Sequence, residues 1–172
     1  MDCIIPVIIS NHADLKPIAD YFKIPFVHIS TSGGKAQHEK AIRETLKDYD
    51  CDFIVLARYM QILSEEFTHD WHHKILNIHH GFLPAFQGAK PYHQAWEKGV
   101  KIIGATAHFA TADLDQGPII SQDIIHTSDK CSIKDFVHQG QDIERKVLLS
   151  ALRLVLDKRV FIHNKRTFIL GE

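Results

Sequence analysis

The stretch KILNIHHGFLPAFQGAKPY, residues 74–92, ends a short apolar run in Asn77, His79 and His80 and then breaks into glycine and proline. A second stretch, HFATADLDQGPII, presents Asp113 and Asp115 in a loop between two apolar runs. An amide, an imidazole and a carboxylate around one carbonyl can supply an oxyanion donor, a proton donor and a base. In that arrangement Asn77, His79 and Asp115 divide the work, with the carboxylate orienting the ring, raising its proton affinity and holding water. Asn, His and Asp also serve loops as caps and turn residues, so spacing alone leaves both readings open.

Positioning these groups requires strands that end where they stand. KILNIH reads as a strand, and on an extended chain Asn77 and His79, two apart, share a side while His80 points away. IIPVIIS, IPFVHIS and CDFIVLA read as earlier strands, the last apolar enough to be covered on both faces. Between them lie helical patterns in NHADLKPIADYF, with Asn11 as its cap, and in KAQHEKAIRETLKDYD after the loop TSGG. SEEFTHDW opens on Ser64 before two glutamates, and YHQAWEKG closes on Gly99. KIIGATAHFA and GPIISQDIIHT are strands joined by TADLDQG; a long helix follows over 133–156, then a hairpin turning at Asn164 and Lys165. Strands alternating with helices predict an α/β, Rossmann-like fold: a mostly parallel sheet with helices on both faces. In such sheets ligands bind beyond the carboxyl ends of strands, where Asn77 and His79 sit.

The 172 residues suit a single domain spanning 1–172. A net charge of −1, from 20 basic and 21 acidic residues, gives no surface for neutralising nucleic-acid phosphates. A small molecule is the expected partner, with no nucleic acid and no membrane. Cys3, Cys51 and Cys131 are odd in number and lie outside any metal-binding pair, as in a reducing, cytoplasmic setting. The apolar start is too short for a span and lacks a basic leader. The phosphate-loop pattern needs Ser or Thr after Gly-Lys, and here Ala36 follows Lys35, so TSGGKA reads as a helix entry. Thirteen histidines keep a zinc site with His93, His108 or His126 open, although the adjacent pairs His72-His73 and His79-His80 diverge.

Three motifs, NIHHGFLPAFQGAKPYHQA, LARYMQILS and GATAHFATADLDQGPII, resemble in wording and order the formyltransferase-fold family of folate enzymes, and within it the formyltetrahydrofolate deformylases. The resemblance runs from about residue 2 to 168. The HH and ARYMQIL wording is that of the hydrolases, where glycinamide ribonucleotide formyltransferases have proline at the place of His80. It implies Asn77, His79 and Asp115 as catalytic residues. It further implies a folate site lined by Leu56, Tyr59, Met60, Gln61, Ile62 and Leu63, with Phe67 and Ile75 nearby and Ala110, Thr111 and Asp113 opposite. Several of these would equally pass for ordinary core.

The activity so implied is hydrolysis of 10-formyl-tetrahydrofolate to tetrahydrofolate and formate, feeding purine biosynthesis and balancing the one-carbon folate pool, with no cofactor and no metal, in a homo-oligomer. Formyl transfer to glycinamide ribonucleotide, folate binding without turnover, or an inactive fragment, are the alternatives. Family members carry an amino-terminal ligand-sensing domain and an opening strand, loop and helix before the point where this sequence starts. An N-terminally truncated catalytic domain is therefore expected, with a strand missing between those of IIPVIIS and DFIVLA and its neighbours' edges unpaired. Gly81 stands where the family usually has serine.

Overall fold

The computed structural model describes residues 3–85 and 90–171. Part of the 74–92 motif, residues 86–89, therefore lies outside the described residues, as do the ends of the proposed 1–172 span. The chain divides into two compact units, 1–52 and 53–172.

In the first unit, β1 (Ile8–Ser10), α1 (Lys16–Tyr21), β2 (Phe26–His28) and α2 (Lys35–Lys47) follow in order. β1 and β2 pair in parallel, Ile8 opposite Phe26, the relation that a helical crossover imposes. Asn11 does not cap α1. The helix starts later, at a Leu15 N-cap without a side-chain bond, because Pro17 in its first turn presets the helical φ; the Asn11 amide reaches the His12 ring instead. At the entry to α2, Gly34 takes φ +84°, a left-handed turn that suits glycine.

The second unit holds β3 (Ile54–Leu56), α3 (Glu65–Asp70), β4 (Ile75–His79), α4 (Pro91–Glu97), β5 (Ile102–Phe109), β6 (Ile119–His126), α5 (Ile133–Leu156), β7 (Val160–His163) and β8 (Arg166–Ile169). Local chemistry sets several boundaries. Ser64 caps α3 by accepting from Phe67 N–H, and Glu65 and Glu66 complement its first turn. Ser132 and Asp135 form a reciprocal capping box at the start of α5. Asn164 and Lys165, at φ 50° and 61°, make the turn between β7 and β8.

The main sheet runs β3-β4-β5-β6. Its β3–β4 pair is parallel, while β5 is antiparallel to both β4 and β6, so the sheet is mixed, with a larger antiparallel share than the strand and helix alternation predicts. The TADLDQG connection contains no helix and is too short for a parallel crossover, so β6 returns beside β5. On one face Leu76, Ile78, Ala105, Ala107, Phe109 and Ile120 pack against Ile143, Val147, Ala151 and Val155, a stripe at every fourth residue of α5. α5 lies mainly over β5 and β6, and Val55 on β3 remains 41% exposed rather than covered on both faces.

Candidate active site

Because Leu76 and Ile78 point into the α5 core, Asn77 and His79 emerge on the opposite face, the shared side that their spacing predicts. The antiparallel register puts Asn77 opposite His108 and His79 opposite Thr106. A shift in the β5–β6 register between Ala107 and His108 disturbs the ladder at this point, as bulges beside functional sites commonly do. The Asn77 amide donates to His108 Nε2 at 3.1 Å, and His108 Nδ1 donates to Phe109 O at 3.0 Å, so this ring sits as the Nδ1–H tautomer.

Asp115 arrives from the loop after β5 with φ 56°, a left-handed conformation that aspartate tolerates better than most residues. Its Oδ2 lies 3.2 Å from His79 Nδ1, within hydrogen-bond reach, and its Oδ1 lies 3.6 Å from His108 Nε2, a longer contact. The side chains of His79, His108 and Asp115 are 5%, 1% and 6% exposed. Burial pushes the Asp115 carboxyl up, but His108 and His79 pull it further down, and the net lies well below the usual carboxylate range. Asp115 is thus ionised at neutral pH. His79 Nε2 is buried and meets no hydrogen-bond partner among the described residues. One ring nitrogen is held by the carboxylate while the other is left for chemistry.

These groups stand at a cleft of about 270 Å³, at the small end of small-molecule sites. Leu56, Tyr59, Met60, Gln61, Ile62 and Leu63 line it, together with Ala110, Thr111 and Asp115. Phe67 and Ile75 do not line it: at 1% and 0% exposure they are core. Asp113 is exposed and turned to its own loop, where its carbonyl accepts from Thr111 Oγ1.

Arg58, His80 and His108 also face the cleft, unforeseen from sequence. For His108 a signal existed, since strand alternation sets it against buried Ala107 and Phe109. His80 follows the last residue of β4, where alternation no longer governs direction, and its ring turns back to stack on His79 at 5.5 Å and 22°. Burial and neighbouring His79 lower its proton affinity, with Arg58 adding to the effect. Among the described residues, no group of three or more His, Cys, Asp or Glu is arranged to hold a metal ion.

An α/β sheet that gathers an amide, two imidazoles and an ionised carboxylate at a cleft is equipped for acid–base chemistry at a carbonyl. The chain belongs to the formyl transferase family, whose profile matches residues 3–152. It is 51% identical over 170 residues to a formyltetrahydrofolate deformylase of Synechocystis sp., covering 98% of this chain and 60% of that relative. The Escherichia coli O6:H1 formyltetrahydrofolate deformylase is 46% identical over 171 residues, covering 99% of this chain and 61% of the relative. The chain thus spans about 60% of the length of the curated relatives it matches.

The crystal structure of a formyltetrahydrofolate deformylase from Pseudomonas syringae superposes with a TM-score of 0.94 at 43% identity, covering 98% of this chain and 57% of that one. A phosphoribosylglycinamide formyltransferase from Anaplasma phagocytophilum superposes with a TM-score of 0.90 at 31% identity, covering 98% and 83%. The formyltransferase fold is established by these likenesses.

Proposed function

We propose that this chain carries the catalytic machinery of a formyltetrahydrofolate deformylase, hydrolysing 10-formyl-tetrahydrofolate to tetrahydrofolate and formate. The observation that carries the reading is the buried His79–Asp115 contact of 3.2 Å beside Asn77 at the cleft. Asn77, His79 and Asp115 are its catalytic residues, and the wall from Leu56 to Leu63 with Ala110 and Thr111 receives the flat folate ring.

Water held by the Asp115 carboxylate adds to the formyl carbon, while the Asn77 amide and protonated His79 donate to the carbonyl oxygen as it gains charge. The proton lost by the water passes to Asp115 as the adduct forms. The carbon–nitrogen bond then breaks, the folate nitrogen takes a proton, and formate leaves. The scheme uses no cofactor and no metal, since the three side chains supply both donor and acceptor of protons. Three free cysteines support a reducing, cytoplasmic setting. Self-association into a homo-oligomer belongs to the same reading and is tested by the mass in solution.

The 31% likeness to a phosphoribosylglycinamide formyltransferase favours one second reading, transfer of the formyl group to an amine. Formate release by the chain without any amine acceptor, lost in Asp115→Ala, supports hydrolysis. Turnover only with an amine present would replace it by transfer.

A further inference from the structure

We propose that Thr106 and Gln122 are positioning residues for this site: their hydrogen bonds clamp the segment 81–83 and thereby seat His80 against His79. The kinetic consequence rests on the hydrolytic reading above; the structural one does not.

His79, Thr106 and Gln122 form one row across β4, β5 and β6, each opposite the next in register. Thr106 is fully buried at 0% exposure, and its hydroxyl is saturated. It donates to Gly81 O at 2.9 Å, and accepts from Leu83 N–H at 3.0 Å and from Gln122 Nε2 at 2.9 Å. The second Gln122 amide hydrogen goes to Leu83 O at 3.0 Å. Each donor and acceptor of the bend after β4 that these bonds reach is thus tied to the two neighbouring strands rather than to its own loop. Replacing Thr106 by the isosteric valine would leave Gly81 O and Leu83 N–H buried without that partner.

The clamped segment starts one residue after His80. The His80 ring lies between the His79 ring, stacked at 5.5 Å, and Tyr92 at 6.1 Å, and it lines the cleft. The charged and titratable groups acting on it are His79, Asp115 and Arg58, with the Tyr92 phenol alongside. Seated this way, His80 is kept neutral by burial first and by His79 second. A neutral ring leaves the ionised Asp115 to His79. Released into solvent, His80 would protonate more readily, and a second imidazolium beside His79 would oppose the protonation on which the oxyanion depends.

The test uses the 172-residue chain and its variants Thr106→Val, Thr106→Ser and Gln122→Leu, with two readouts. Ring-proton NMR titration of His79 and His80 without substrate reads the seating, and steady-state formate release reads its consequence. Thr106→Val and Gln122→Leu are expected to raise the His80 midpoint towards the ordinary histidine value. They should lower kcat on the order of 10- to 100-fold with little change in KM, the cost of misplacing a group in a preorganised site. Thr106→Ser keeps the hydroxyl and should match wild type in both readouts. A cooperatively folded Thr106→Val with an unmoved His80 midpoint and wild-type kcat overturns the inference, as does a Thr106→Ser equally impaired. If Thr106→Val does not fold, Gln122→Leu decides by the same readouts. If the wild-type chain releases no formate, the hydrolytic reading fails, and the titration alone judges the clamp: a raised midpoint upholds it, an unmoved one sinks it.

Discussion

His79 Nδ1 lies 3.2 Å from Asp115 Oδ2, and both side chains are almost shut off from solvent. The strand β4 delivers the ring and the loop after β5 delivers the carboxylate, so neither element alone makes the pair. Held at Nδ1, the ring has Nε2 as its only free nitrogen, which gives the site a direction.

Asp115→Asn keeps the shape of the side chain and removes its charge. Formate release should fall about 10²- to 10⁴-fold in kcat, the usual weight of a positioned acid or base, with KM little changed. The substitution also alters acid stability. The native Asp115 pKa lies below the 3.8 of the free group, so its ionised form stabilises the fold above pH 3.8, and that contribution is lost as pH falls below it. Melting temperatures of wild type and variant should therefore converge on acidification below 3.8.

Asn77→Ala removes the donor proposed for the oxyanion and, at the same time, the partner of His108 Nε2. A loss of roughly 10²- to 10³-fold in kcat is expected, as for other oxyanion donors. Formyl-folate binding, measured calorimetrically with a non-hydrolysable analogue, should change far less than turnover. Equal losses in both would assign Asn77 to ground-state binding.

His80 has a proton affinity below that of a free histidine, whose pKa is 6.5, through burial first and His79 second. The unfolded chain then binds more protons than the native one as pH falls through 6.5, so this residue's contribution is full above 6.5 and shrinks below it. His80→Asn should lose less stability than wild type when the pH is lowered from above 6.5 into that range. Thermal melts at a series of pH values check the sign, which reverses if the native ring titrates above 6.5.

Gly117 belongs to the loop that carries Asp115, two residues beyond it. A Cβ built there would fall 1.7 Å from Phe109 O, the carbonyl that accepts from His108 Nδ1. Backbone cannot step aside as a side-chain tip can, so Gly117→Ala should destabilise the fold by about 1–3 kcal/mol or more and displace Asp115. Gly140→Ala is a contrasting control within α5. Helix propensity favours alanine by about 1 kcal/mol, but its Cβ would meet the Tyr92 ring at 2.2 Å. Overpacking should win there too, lowering the melting temperature.

Much of this protein could be read locally. Ser64 before two glutamates marked the start of α3, Asn164 and Lys165 marked the hairpin turn, and the two-residue spacing of Asn77 and His79 put them on one face, because capping, turn dihedrals and strand alternation are properties of neighbouring residues. The wording of three motifs carried the family. What only the tertiary structure decided depends on which distant surfaces meet: that β5 runs antiparallel to β4, bringing His108 to Asn77, that Phe67 and Ile75 fall behind the cleft wall, and that His80 folds back onto His79. No local period encodes these relations, since the free energy that selects them comes from burying the α5 face and satisfying buried polar groups across strands far apart in sequence.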